Sequence, residues 1–141
     1  AMRNFFLCAL LLTLLTQPGF VLENSLFQAA QSGRDELVSS KRPVDGPWPE
    51  YLPPGYKFQG FSYLKTKKSK ITYLRFANGE KLLSLFIDPN DESGHNRRHD
   101  HPDEKKKGDY TIFEWKKGGD KYTLIGRESL SVLKKIAKSV K

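Results

Sequence analysis

Ile71-Thr72-Tyr73-Leu74-Arg75-Phe76, then Ala77-Asn78-Gly79-Glu80, then Lys81-Leu82-Leu83-Ser84-Leu85-Phe86-Ile87: two β-rich runs flank a short polar joint. Both Asn78 and Gly79 can take φ > 0, so the joint predicts a type I′ turn and an antiparallel hairpin. β-branched and aromatic residues dominate both runs. Alternation points Ile71, Tyr73 and Arg75 one way and Thr72, Leu74 and Phe76 the other. The second run has almost no polar side, which predicts a central strand covered on both faces.

Ahead of this hairpin, Leu52-Pro53-Pro54-Gly55-Tyr56 turns the chain into an earlier strand, Tyr56 to Leu64. There the apolar alternation slips by one residue at Gly60, the pattern of a β-bulge. Lys65-Thr66-Lys67-Lys68-Ser69-Lys70 forms a basic turn into the hairpin. Beyond it, residues 89 to 108 are polar, charged and without apolar periodicity, and read as a long loop. Tyr110 to Trp115 and Lys121 to Ile125 are two further strands around Lys116-Lys117-Gly118-Gly119-Asp120. Ser129 is an N-cap for a closing helix with Leu130, Leu133, Ile136, Ala137 and Val140 on one face. The expected fold is α+β: a five-stranded, mostly antiparallel sheet with a C-terminal helix packed on one face.

The 141 residues suit one domain, and 24 Lys+Arg against 16 Asp+Glu give a formal charge of +8, which favours anionic partners. Residues 1–22 read as a signal peptide or N-terminal hydrophobic segment: Met2-Arg3-Asn4 is a short positive region, and Phe5 to Leu15 is an apolar run too short to span a bilayer comfortably. The lone Cys8 lies in that run, so the remainder has no disulfide, thiolate metal site or cysteine nucleophile. Residues 23–50 read as a short helix followed by a Pro-rich linker, and residues 51–141 as the folded domain. Trp48, between Pro47 and Pro49, is either a plug that docks the linker on the sheet or an exposed recognition aromatic.

No chemistry-bearing constellation emerges. His95, His99 and His101 share one loop with Asp100, Asp103 and Glu104, but their spacing fits no rigid ligand geometry and Arg97, Arg98 and Lys105 to Lys107 repel a cation. No serine has a nucleophile-elbow context, and no glycine-rich phosphate loop links a strand to a helix. The expectation is a protein that is not an enzyme, with no metal and no cofactor. Tyr63, Tyr73, Arg75 and Phe76 could be drawn as a nucleic-acid face, yet the core needs most of those rings, so no nucleic-acid partner is expected.

Leu52-Pro53-Pro54-Gly55-Tyr56 opening a sheet, Asn78-Gly79 leading into Ser84-Leu85-Phe86-Ile87, and Tyr122-Thr123-Leu124-Ile125-Gly126 followed by Leu133 through Val140 resemble the C-terminal domain of MucB/RseB sigma-E regulatory proteins. Similar patterns occur in extracytoplasmic parts of anti-sigma proteins and sporulation lipoproteins. The resemblance covers roughly residues 51–141. It implies a periplasmic or otherwise extracytoplasmic domain that binds a protein, such as an anti-sigma factor, and performs no chemistry. MucB/RseB proteins carry a larger lipoprotein-carrier-like domain ahead of this one, for which residues 1–50 are too few, so lipid sensing is not carried over. The reading is an exported, non-catalytic protein-binding domain in envelope-stress or anti-sigma regulation. Its alternative is a binder of anionic envelope components such as lipid headgroups. Candidate partner contacts are Trp48, Lys67, Lys68, Arg97 and Arg98.

Overall fold

A computed structural model of the chain describes residues 26–31, 37–89 and 102–141. Residues 26–31 are helical (α1). The strands are β1 (Lys57–Lys65), β2 (Lys70–Asn78), β3 (Lys81–Asp88), β4 (Asp103–Lys107), β5 (Tyr110–Lys117) and β6 (Asp120–Gly126), and helix α2 (Leu130–Ser139) closes the fold. They form a single sheet in the order β1-β2-β3-β6-β5-β4, with every neighbouring pair antiparallel.

Six strands stand where five were expected. The addition is β4, Asp-Glu-Lys-Lys-Lys, inside the stretch read as a loop; all five of its residues are exposed. It pairs with β5 on one side only, so backbone hydrogen bonds make it a strand while its side chains carry no apolar signal. The central hairpin also differs from expectation. Asn78 pairs with Lys81, leaving Gly79-Glu80 as the loop. Gly79 has φ +60°, and no described non-glycine residue has positive φ, so the joint has the glycine-first pattern of a type II′ turn. Asn78 is instead held in the ladder, its side-chain amide donating to the Pro54 carbonyl at 3.5 Å. Two consecutive positive φ values, as in type I′, occur at Gly118 and Gly119, between β5 and β6.

Alternation divides the apolar side chains between two faces, and β3 contributes to both, as a central strand should. On the first face Leu74, Phe76, Leu83, Leu85, Phe113 and Leu124 meet Leu133 and Ile136 of α2. Each of those two helix residues contributes about 2 kcal/mol by leaving water. Ser129 caps α2 by accepting from the Val132 N–H. On the second face Ile71, Tyr73, Phe86, Ile112 and Ile125 are covered by Leu26, Phe27, Ala29 and Ala30 of α1. Tyr73 and Phe86 stack at 4.7 Å, and the Tyr73 hydroxyl reaches the Ala29 carbonyl at 3.4 Å.

The Pro-rich segment is not a free linker. Trp48 exchanges backbone hydrogen bonds with Lys141 at 3.0 and 3.1 Å, and the Glu50 N–H donates to the Ser139 carbonyl. This lays residues 47–52 along the C-terminal end of α2 and over the first face.

Candidate functional site

The two edges of the sheet have unlike chemistry. β4 is five charged residues, two acidic followed by three basic, the usual device against further strand pairing. β1, Lys-Phe-Gln-Gly-Phe-Ser-Tyr-Leu-Lys, is nine residues long and carries aromatics. At its centre the register slips between Phe58 and Gly60, the bulge expected from the sequence. A Cβ at Gly60 would sit 2.6 Å from the Ser39 carbonyl oxygen and 2.8 Å from Leu37 Cδ1, and the backbone there has φ +153°. Glycine is what lets residues 37–39 cross so closely.

That crossing is short. The Val38 N–H donates to the Phe61 carbonyl at 2.7 Å, and the Phe61 N–H donates to the Ser39 carbonyl at 2.9 Å. One isolated antiparallel bridge, Ser39 to Phe61, results, and Val38 remains 64% exposed. Alternation turns the backbone groups of Tyr63 and Lys65 outward as well. Neither has a backbone partner across that edge among the described residues. Tyr63 is 39% exposed, with Phe61 edge-on at 5.5 Å and the Lys70 ammonium 3.9 Å from its ring centre.

Arg75 stands opposite Gly60 on one side and Ser84 on the other. It is 8% exposed, and its Nε and Nη1 are buried with no hydrogen-bond partner among the described residues. Guanidinium groups do not shed their charge to escape burial, so each buried N–H left without a partner costs free energy, about 1–3 kcal/mol. The sequence carried a signal for it: Arg75 lies in phase with Ile71 and Tyr73 inside the most apolar hairpin of the chain. The nucleic-acid face drawn from Tyr63, Tyr73, Arg75 and Phe76 does not exist. Tyr73 and Phe76 lie on opposite faces at 0% and 1% exposure.

Around this edge the charge has one sign. Residues 51–79 contain no Asp or Glu, while Lys57, Lys65, Lys67, Lys68 and Lys70 are all exposed. Thr66 and Ser69 tie the β1–β2 turn: the Thr66 N–H donates to the Ser69 carbonyl at 2.8 Å, and the Ser69 N–H to Thr66 Oγ1 at 3.0 Å. The Ser69 hydroxyl donates to Asp88 at 2.9 Å, fixing the turn to the end of β3.

Of the residues expected to touch a partner, Lys67 and Lys68 project from this turn. Trp48 is the docked plug: its ring packs edge-on against Phe58 at 4.9 Å and Phe76 at 5.5 Å, with the Arg42 guanidinium 4.4 Å from its centre. Arg97, Arg98 and the three histidines lie outside the described residues. At the entry to β1, the Tyr56 hydroxyl donates to Glu128 at 2.7 Å. Burial first, and then that carboxylate, push the Tyr56 phenol well above its usual range; burial and then Asp120 push Tyr122 up too.

No protein-family model and no curated protein sequence matches the chain. Among solved structures, it superposes on MucB in complex with MucA(peri) with a TM-score of 0.55, at 17% identity, over 70% of this chain and 37% of that one. The Pseudomonas aeruginosa MucA/MucB complex gives a TM-score of 0.56 at 16% identity, over 72% of this chain and 36% of that one. The chain therefore spans little more than a third of those relatives, and what it shares with that part of MucB is the fold its sequence resembles.

Proposed function

We propose that this chain is a non-catalytic protein-binding domain that works outside the cytoplasm, with a partner in envelope-stress or anti-sigma signalling. The observation that carries the reading is the fold held in common with MucB, whose solved structures contain MucA as a bound partner. The leader pattern in residues 2–15 supports export.

Affinity capture from envelope fractions, at low and at high salt, tests it. Expected is one protein partner that stays bound at high salt and that a Lys67→Glu, Lys68→Glu variant captures more weakly but does not lose, because an interface built on burial is screened little. Capture only at low salt, abolished in that variant, would overturn the reading in favour of an anionic component such as lipid headgroups. Recovery of the native protein from the cytoplasm with Met2 retained, read by mass spectrometry, would overturn export.

A further inference from the structure

Building on the protein-binding reading, we infer that the β1 edge takes an acidic extended segment of the partner as an added strand, and that a carboxylate of that segment answers the buried Arg75 guanidinium. Three observations converge on this edge. Arg75 is 8% exposed, with Nε and Nη1 orphaned among the described residues. Its cross-strand neighbour is Gly60, so the space where a β1 side chain would stand is taken by Leu37 and Ser39 of the crossing segment instead. The outward backbone groups of Tyr63 and Lys65 continue a ladder that residues 38–39 occupy only at Phe61.

The occupant's chemistry follows from charge. The guanidinium fork fits a carboxylate with two parallel hydrogen bonds. The exposed lysines at 57, 65, 67, 68 and 70, in a stretch without a single carboxylate, attract and orient an acidic chain. An added strand supplies main-chain hydrogen bonds at every second residue, and side-chain pockets supply selectivity. Residues 37–39 hold the edge through one bridge, with Val38 largely in solvent, and the incoming strand exchanges for them at Phe61. Arg75 is then a binding residue kept at a cost to the unbound fold.

The probe is a capped, fluorescently labelled peptide of alternating Thr and Val with a central Glu, compared with its Gln counterpart. Anisotropy titrations use the full chain and the variants Arg75→Met and Arg75→Lys. Expected are binding of the Glu peptide by the wild type, about tenfold or greater loss in Arg75→Met and with the Gln peptide, and a partial loss in Arg75→Lys. Thermal melting of unliganded Arg75→Met should equal or exceed that of the wild type, since a buried guanidinium with two unpartnered nitrogens is being replaced by an apolar chain. No Glu-peptide binding by the wild type overturns the inference, as does equal binding of the Gln peptide. An Arg75→Met protein that unfolds, or melts lower together with Asp35→Asn or Glu36→Gln, makes Arg75 half of an internal ion pair and overturns it also. Capture of phosphatidylglycerol vesicles that Arg75→Met abolishes would assign the guanidinium to lipid phosphate instead. An envelope partner captured equally by Arg75→Met and wild type leaves protein binding in place and removes only this site.

Discussion

The two edge strands share one sheet yet answer the same hazard in different ways. β4 meets solvent with Asp103, Glu104 and three lysines, and a charged, five-residue ribbon gives another chain little to pair with. β1 is nearly twice as long, carries Phe58, Phe61 and Tyr63, and is covered at one point by residues 38–39. An edge built only for solubility would resemble β4. The glycine bulge of β1 and the buried Arg75 beside it on β2 carry costs that β4 does not, as expected if the proposed partner binds at this edge.

Their anchors differ in the same sense. β1 enters the sheet beside the buried Tyr56, whose hydroxyl donates a part-buried hydrogen bond to Glu128 at the corner before α2. β4 is fastened to α2 by an ion pair between Lys134 and Glu104 at 2.7 Å, with each side chain about half in solvent. A part-buried hydrogen bond to a charged group stabilises more than an exposed pair of similar length.

The largest expected effect lies at Gly60. Gly60→Ala puts a methyl within 2.6 Å of the Ser39 carbonyl oxygen in a backbone conformation with φ +153°. The strain and the close contact together should lower stability by about 2 kcal/mol or more. Amide exchange gives the local readout: protection at Val38 and Phe61, which rests on the bridge, should fall before that of β3. Unchanged melting and unchanged exchange would show that residues 37–39 are not held by the bulge.

How much of this contrast is legible in the sequence depends on which interaction makes each element. Strands built by side-chain burial announce themselves: the apolar alternation of β2, β3, β5 and β6, the slip at Gly60 and the Ser129 cap all match the structure. β4 is built by backbone pairing to β5 and has no apolar residue, so periodicity could not find it. The hairpin joint shows a subtler limit. Asn78-Gly79 correctly marks a turn, but the ladder keeps Asn78 as a paired residue and moves the loop to Gly79-Glu80, a choice made by register rather than by local propensity. Trp48 could be read both ways because its neighbours in the chain are prolines; its fate is decided by Phe58 and Phe76, distant in sequence. Arg75 was visible as a charge in phase with buried residues, while its orphaned nitrogens are a property of the packed sheet.

The two anchors also differ in how they respond to pH. The folded-state phenols of Tyr56 and Tyr122 are raised above the usual value near 10, so between that pH and their folded values the unfolded chain sheds protons that the folded chain retains. Their favourable contribution is complete below about pH 10 and is lost as pH rises further. Tyr56→Phe should cost about 1–2 kcal/mol at neutral pH through the lost bond to Glu128, and should flatten the alkaline decline, leaving the Tyr122 part. Melting curves from pH 8 upward check both halves. An alkaline limb as steep as that of the wild type would remove Tyr56 as its source.

The smallest expected effect lies at β4, and its smallness is the point. Lys134 and Glu104 are close, but their side chains are 45% and 40% exposed, so water screens the attraction and both lose rotamer freedom when they meet. A double-mutant cycle with Lys134→Met and Glu104→Gln should give a coupling of about 0.5 kcal/mol at low ionic strength, falling toward zero in about 1 M salt, where the screening length shortens to roughly 3 Å. The same variants should leave capture of the envelope partner unchanged, since this edge is shaped to repel further strands. A coupling above about 2 kcal/mol would mean that β4 depends on α2 for its place in the sheet. Loss of the partner in either variant would mean that the charged edge, rather than β1, is where the partner binds.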